Sequence, residues 1–113
     1  MMILLDECVP VQVAGAFPGH EVHSATDHRW RGVSNGELLR LAEEKGFDLL
    51  IVADKNMRHQ QNLSGRRVAI LELWTNHRPT LDRNLHHIAA AVERTVPGEY
   101  LELTAPAYFP RND

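Results

Sequence analysis

The sequence predicts an α/β domain, a three-layer sandwich built on a mainly parallel sheet, and three observations carry that expectation. Short runs apolar on both faces, Ile3-Leu4-Leu5, Leu49-Leu50-Ile51-Val52-Ala53 and Val68-Ala69-Ile70-Leu71, read as strands buried on both sides. Segments with helical patterning separate them, as crossover connections between parallel strands require. The first two runs stop at acids, Asp6-Glu7 and Asp54-Lys55, so chemistry-bearing groups collect where the strands end.

In chain order, Pro10 suits the first turn of a helix with Val13, Ala14 and Phe17 facing inward, and Pro18-Gly19 ends it. Glu21 to Ser24 is a second extended segment, and residues 25–33 form a polar loop. Ser34-Asn35-Gly36-Glu37 fits the S-x-x-E capping box, with Leu38, Leu41 and Ala42 as the apolar face of the following helix and Gly46 as its stop. After the strand at 49–53 comes a weakly patterned helix or loop from Asn56 to Leu63, broken by Gly65. Pro79-Thr80 opens a last helix with Leu81, Leu85, Ile88, Ala89 and Val92 at helical spacing, and Pro97-Gly98 turns the chain into a final strand at Tyr100 to Leu103. The domain is expected over 1–104, with 105–113 as a C-terminal tail in which Pro106 and Pro110 block regular pairing.

With 113 residues, 43% hydrophobic and 24% charged, the chain has the size and balance of one ordinary folded domain. A formal charge of -3 gives no general attraction to nucleic acid, although an acidic metal site would itself bias that total. The lone Cys8 excludes an intrachain disulfide and a Cys-rich zinc site. The N-terminus turns acidic too early for a signal peptide, and no apolar run approaches the roughly 18 residues of a membrane span. A cytoplasmic location with no membrane contact is the resulting expectation. The seven histidines show no helical H-x-x-x-H pair, so solvated positions are expected for most of them.

In parallel sheets, functional groups gather beyond the carboxyl ends of the strands, where strand order reverses. Were the order 2-1-3-4, Asp6 and Asp54 would lie close enough to share a hard cation such as Mg²⁺ or Mn²⁺, and Glu37, one turn into its helix, could reach the same edge. Leu4-Leu5-Asp6-Glu7, then Arg31-Gly32 with Ser34 and Glu37-Leu38-Leu39, then Val52-Ala53-Asp54-Lys55 together resemble the short PIN-like family related to toxin ribonucleases. That resemblance spans nearly the whole chain in order. It implies a metal-dependent ribonuclease with Asp6, Glu37 and Asp54 as catalytic and metal-binding residues, RNA as substrate, and an antitoxin protein and homodimer as partners. Arg31, Lys55 and Arg58 would offset phosphate charge. Asn35 and Asn56 depart from the pattern, standing where similar proteins commonly carry Asp; an amide oxygen can ligate a metal but brings no charge.

Each residue also has a structural explanation. Glu at the third helical position of a capping box is favoured whatever the function. Asp6 and Asp54 could cap helices. His28-Arg29-Trp30-Arg31 could hold phosphate and stack a base, or Trp30 could anchor its loop on the core. Two other functions compete. One keeps the PIN-like fold as a degraded module that binds RNA or protein. The other is a receiver-like domain phosphorylated on Asp54, with Thr75 after the fourth strand but no Lys on the last strand to hold the phosphoryl group.

Overall fold

The computed structural model describes residues 1–53 and 65–106. Five strands, β1 (Met2–Leu5), β2 (Glu21–Ser24), β3 (Leu49–Val52), β4 (Ala69–Glu72) and β5 (Tyr100–Glu102), form one sheet in the order β2-β1-β3-β4-β5. Every pairing is parallel. The central strands are apolar on both faces because both faces are covered. Ile3, Leu5, Leu49, Ile51 and Leu71 pack on one side with Val13, Phe17, Leu81, Ile88 and Val92; Leu4, Leu50, Val52 and Ile70 pack on the other with Leu38, Ala42 and Phe47. The structure is thus the α/β three-layer arrangement read from the strand pattern. Each of the Leu, Ile, Val and Phe side chains among them contributes about 2 kcal/mol by leaving water.

Helix α1 (Asn35–Glu44) begins and ends where its sequence says it should. Ser34 Oγ accepts from the Glu37 N–H at 3.2 Å. At the other end Gly46 takes a left-handed φ of 80°, while the Phe47 and Gly46 N–H groups donate back to the Ala42 and Glu43 carbonyls. This is a Schellman stop, and Phe47 and Ala42 make its accompanying apolar contact.

Two expected helices differ in the structure. The segment after Pro10 is a 3₁₀ helix, Val11–Ala16, carried by the i→i−3 bonds Val13 N–H to Pro10 O and Phe17 N–H to Ala14 O. With Gly15 inside and Pro18-Gly19 just beyond, it has no length in which to settle into α geometry. The last helix is two, α2 (Arg78–Asp82) and α3 (Leu85–Arg94). Asn84 breaks it: its side-chain Nδ2 donates to the Thr80 carbonyl at 2.8 Å, the acceptor its own backbone N–H would use in a continuous helix.

Among the described residues, α1 lies on one face and the 3₁₀ helix, α2 and α3 on the other. The steps β1 to β2 and β2 to β3 run in opposite directions on opposite faces, and so share one hand. The step β4 to β5 runs in the same direction as β2 to β3 but on the other face, and so has the opposite hand, an uncommon arrangement. The physical reason is cover: six residues of 3₁₀ helix shield little of the sheet, and α3 packs beside them to bury Ile51 and Leu71.

No helix of the described residues is long and apolar enough to cross a membrane. The expected helix or loop at 56–63 and residues 107–113 of the expected tail lie outside the described residues.

Candidate active site at the carboxyl edge

The reversal of strand order falls between β1 and β3, and Asp6 stands on it. Its backbone N–H donates to the Ile51 carbonyl at 3.0 Å, which extends the β1–β3 ladder by one residue, and its own carbonyl accepts from Val9 N–H in the turn that follows. Register then sets Asp6 level with Val52, the last residue of β3. Asp6 is buried, 8% exposed, although it lies beyond the end of its strand. Asp54, two positions past Val52 in the chain, lies outside the described residues, as do Lys55, Asn56 and Arg58.

Glu37 is placed differently from the expectation that it leans over the sheet edge. Half of the capping box forms, from Ser34 Oγ to the Glu37 N–H. The Glu37 carboxylate turns instead along the helix to Arg40, whose Nη2 and Nε donate to its two oxygens at 2.6 and 3.1 Å. That hydrogen-bonded guanidinium holds the Glu37 carboxyl below the ordinary carboxylate range. Arg40 also donates to Glu44 at 2.7 Å, and the two acids raise its already high basicity further.

Residues 25–33 cross the same edge and are tied down at both ends. Ala25 N–H continues the ladder onto the Leu5 carbonyl, and Gly32 N–H donates to Glu7 Oε1 at 2.6 Å. Gly32 does this at φ 83°, a conformation its missing Cβ permits. Arg31, exposed, brings Nε to 3.8 Å from Glu7 Oε2. A cationic side chain therefore stands beside the end of β1.

Trp30 anchors the loop, packed against the α1-side core. One ring face is stacked on His28 at 4.4 Å between centroids, and Phe47 lies edge-on at 6.3 Å. A stacking platform for a base is thus already occupied by the protein's own imidazole. His28 further contacts His23 Nδ1 through Nε2 at 2.7 Å, and His23 Nε2 meets Glu21 at 2.6 Å, so these histidines are structural rather than the solvated groups the sequence suggested. His87 likewise donates to the Thr104 carbonyl and packs on Trp74.

The sequence reading passed over Glu72. It closes β4 at the same edge, is 2% exposed, and accepts a hydrogen bond from the Tyr100 hydroxyl. The signal was available: Ala69-Ile70-Leu71-Glu72 repeats the pattern of an apolar run ending in an acid. Ending the strand one residue early, at Leu71, hid it.

The described residues contain no group of three or more His, Cys, Asp or Glu side chains arranged to hold a metal, and Asp54 is not among them. Comparison with models of known families, with curated proteins and with solved structures gives no match to this chain.

Proposed function

We propose that this chain is a PIN-like, metal-dependent ribonuclease acting at the carboxyl edge between β1 and β3, with Asp6 and Asp54 as the primary ligands of Mg²⁺ or Mn²⁺. The observation that supports it most is the strand order: β1 and β3 are parallel neighbours at the reversal point, and the chain leaves both carrying an acid within two residues. The donor set suits a hard cation, being carboxylate oxygen throughout.

Such a cation supplies an activated water and neutralises charge on the scissile phosphodiester. The protein's own contribution is position and charge. The ladder bond from Asp6 N–H to the Ile51 carbonyl fixes the Asp6 backbone level with the end of β3. Arg31 at the loop mouth attracts the phosphate backbone, with Lys55 and Arg58 in the same role. Glu37 joins only after releasing Arg40. The PIN-like reading carries with it a toxin role against cellular RNA and an antitoxin partner.

The same strand order belongs to receiver-like domains, but β5 and the residues after it, Tyr100 to Thr104, offer no Lys for a phosphoryl oxygen. A second reading, a binding module that keeps the fold without the chemistry, is favoured by the two-point hold of Arg40 on Glu37 and by Asn35 and Asn56 in place of acids.

The test is Mn²⁺-dependent cleavage of a mixed single-stranded RNA by wild type and by Asp6→Asn/Asp54→Asn, with metal binding followed in parallel. Cleavage and Mn²⁺ binding lost together in the double variant are expected. RNA binding without cleavage or metal affinity in the wild type would establish the binding module instead.

A further inference from the structure

The loop at 25–33 is fastened to β2 by a chain of three side chains that the proposed chemistry does not use. Glu21 Oε2 lies 2.6 Å from His23 Nε2, and His23 Nδ1 lies 2.7 Å from His28 Nε2. The proton positions follow from valence. An ionised carboxylate only accepts, so His23 Nε2 carries the hydrogen given to Glu21. In a neutral His23 this leaves Nδ1 as an acceptor, and His28 Nε2 must donate to it. The chain then ends in the lone pair of His28 Nδ1.

Aromatic rings close around the pair. His28 is stacked on Trp30 at 4.4 Å between centroids, and Phe47 meets His23 and His28 edge-on at 5.3 and 5.9 Å. Leu4 is the β1 residue level with His23. Among the described residues Glu21 is the one charged side chain bonded to either ring. Asp27 and Arg29 flank His28 in the chain and Asp48 follows Phe47, and none of these three side chains bonds to the pair.

Two protons entering this chain have opposite effects. The first adds to His28 Nδ1, leaves both hydrogen bonds in place and strengthens the stack on Trp30 by cation–π attraction. The second must add to His23 Nδ1, the acceptor that remains. It sets one N–H against another across 2.7 Å and two imidazolium charges side by side, with one carboxylate at the far end to oppose them. The bond between the rings does not survive that arrangement. Glu21 holds His23 on its strand, so His28, on the loop, is the ring that leaves.

We propose that the His23–His28 hydrogen bond is an acid-opened latch, which holds the loop on β2 at neutral pH and releases it when both imidazoles are protonated. Ala25 and Gly32 stay tied to the Leu5 carbonyl and to Glu7, so the movement is confined to the residues between them. Opening uncovers the Trp30 face that His28 covers, one residue from Arg31. The open form holds one proton more than the latched form, so the ratio of open to latched rises by up to about tenfold for each pH unit of acidification. The latch stands independently of the nuclease reading.

The experiment is acrylamide quenching of Trp30 between about pH 8 and pH 5, the range in which histidines change charge. The full chain carries Trp74→Phe so that one tryptophan reports, and far-UV circular dichroism is recorded at every pH. The quenching constant is expected to rise about twofold or more in acid while the circular dichroism stays constant. His28→Phe added to that chain keeps a ring over Trp30 but takes no proton, and is expected to give a low quenching constant that does not change with pH. A parent chain whose Trp30 exposure stays constant across the range, or changes only as the fold itself is lost, overturns the latch. So does an equal rise in His28→Phe, which would assign the acid response to another group. Should His28→Phe not fold, His28→Gln, which donates to His23 without titrating, replaces it, and an acid-dependent rise there has the same meaning.

Discussion

At the amino edge of the sheet, acids sit opposite donors. Glu43 Oε2 accepts from the N–H groups of Arg67 and Val68 at 2.8 and 2.6 Å, just ahead of β4, and Asp48 Oδ2 accepts from Met2 N–H at 2.8 Å at the head of β1. Each carboxylate there fills a backbone donor at a strand head that has no neighbouring strand to pair with. At the carboxyl edge Asp6 and Glu72 are both buried, and the donor that meets Glu72 is a side chain, the Tyr100 hydroxyl. The same residue type thus reads as architecture at one edge and as a candidate reaction centre at the other, and whether a backbone donor meets the carboxylate makes the difference.

That contrast can be broken by mutation. The largest effect is expected from the amino-edge turn into β5, where Gly98 has φ 81° and an added Cβ would stand 2.9 Å from the Arg66 carbonyl. Gly98→Ala should cost about 3 kcal/mol in urea unfolding, combining backbone strain with a clash against backbone. Next, Glu43→Ala should cost about 2 kcal/mol by orphaning two backbone donors, with Glu43→Gln recovering part through its amide oxygen. Asp48→Ala, which loses one exposed acceptor, should cost about 1 kcal/mol in the same assay.

At the carboxyl edge the sign should reverse: Asp6→Asn is expected to leave stability in EDTA unchanged or raise it by about 1 kcal/mol, because burial penalises a charged carboxylate more than an amide of the same shape. A clear loss would mean that Asp6 is architectural too, and the contrast between the edges would fall. The smallest effect concerns Glu37. Its folded carboxyl is depressed by Arg40, so its contribution is present above the ordinary carboxylate value of 4.5 and is lost as pH falls through the lower folded value. NMR titration of Glu37 should show that depression in wild type and its disappearance in Arg40→Ala.

Much of this was legible along the chain. The apolar runs defined strands buried on both faces, Ser34 and Gly46 marked the ends of α1, and the acids at 6 and 54 marked strand ends, because each of these signals is local: burial pattern, capping chemistry and φ preference act within a few residues. The break at Asn84 was not legible, since it depends on a side chain taking the carbonyl four residues back, and helical periodicity runs straight through it. Nor was the choice Glu37 made between Ser34, the sheet edge and Arg40, three partners within reach of one helical residue.

By itself the sequence determined the class of fold, the strands, helix α1 and the edge at which Asp6 emerges. Only the tertiary structure decided which acids share a row. That β1 lies beside β3, and that Glu72 is level with Asp6 across Val52, follows from register between strands separated by dozens of residues. Such pairing is chosen by how two apolar faces are covered at once, a property of the assembled core and of no single segment.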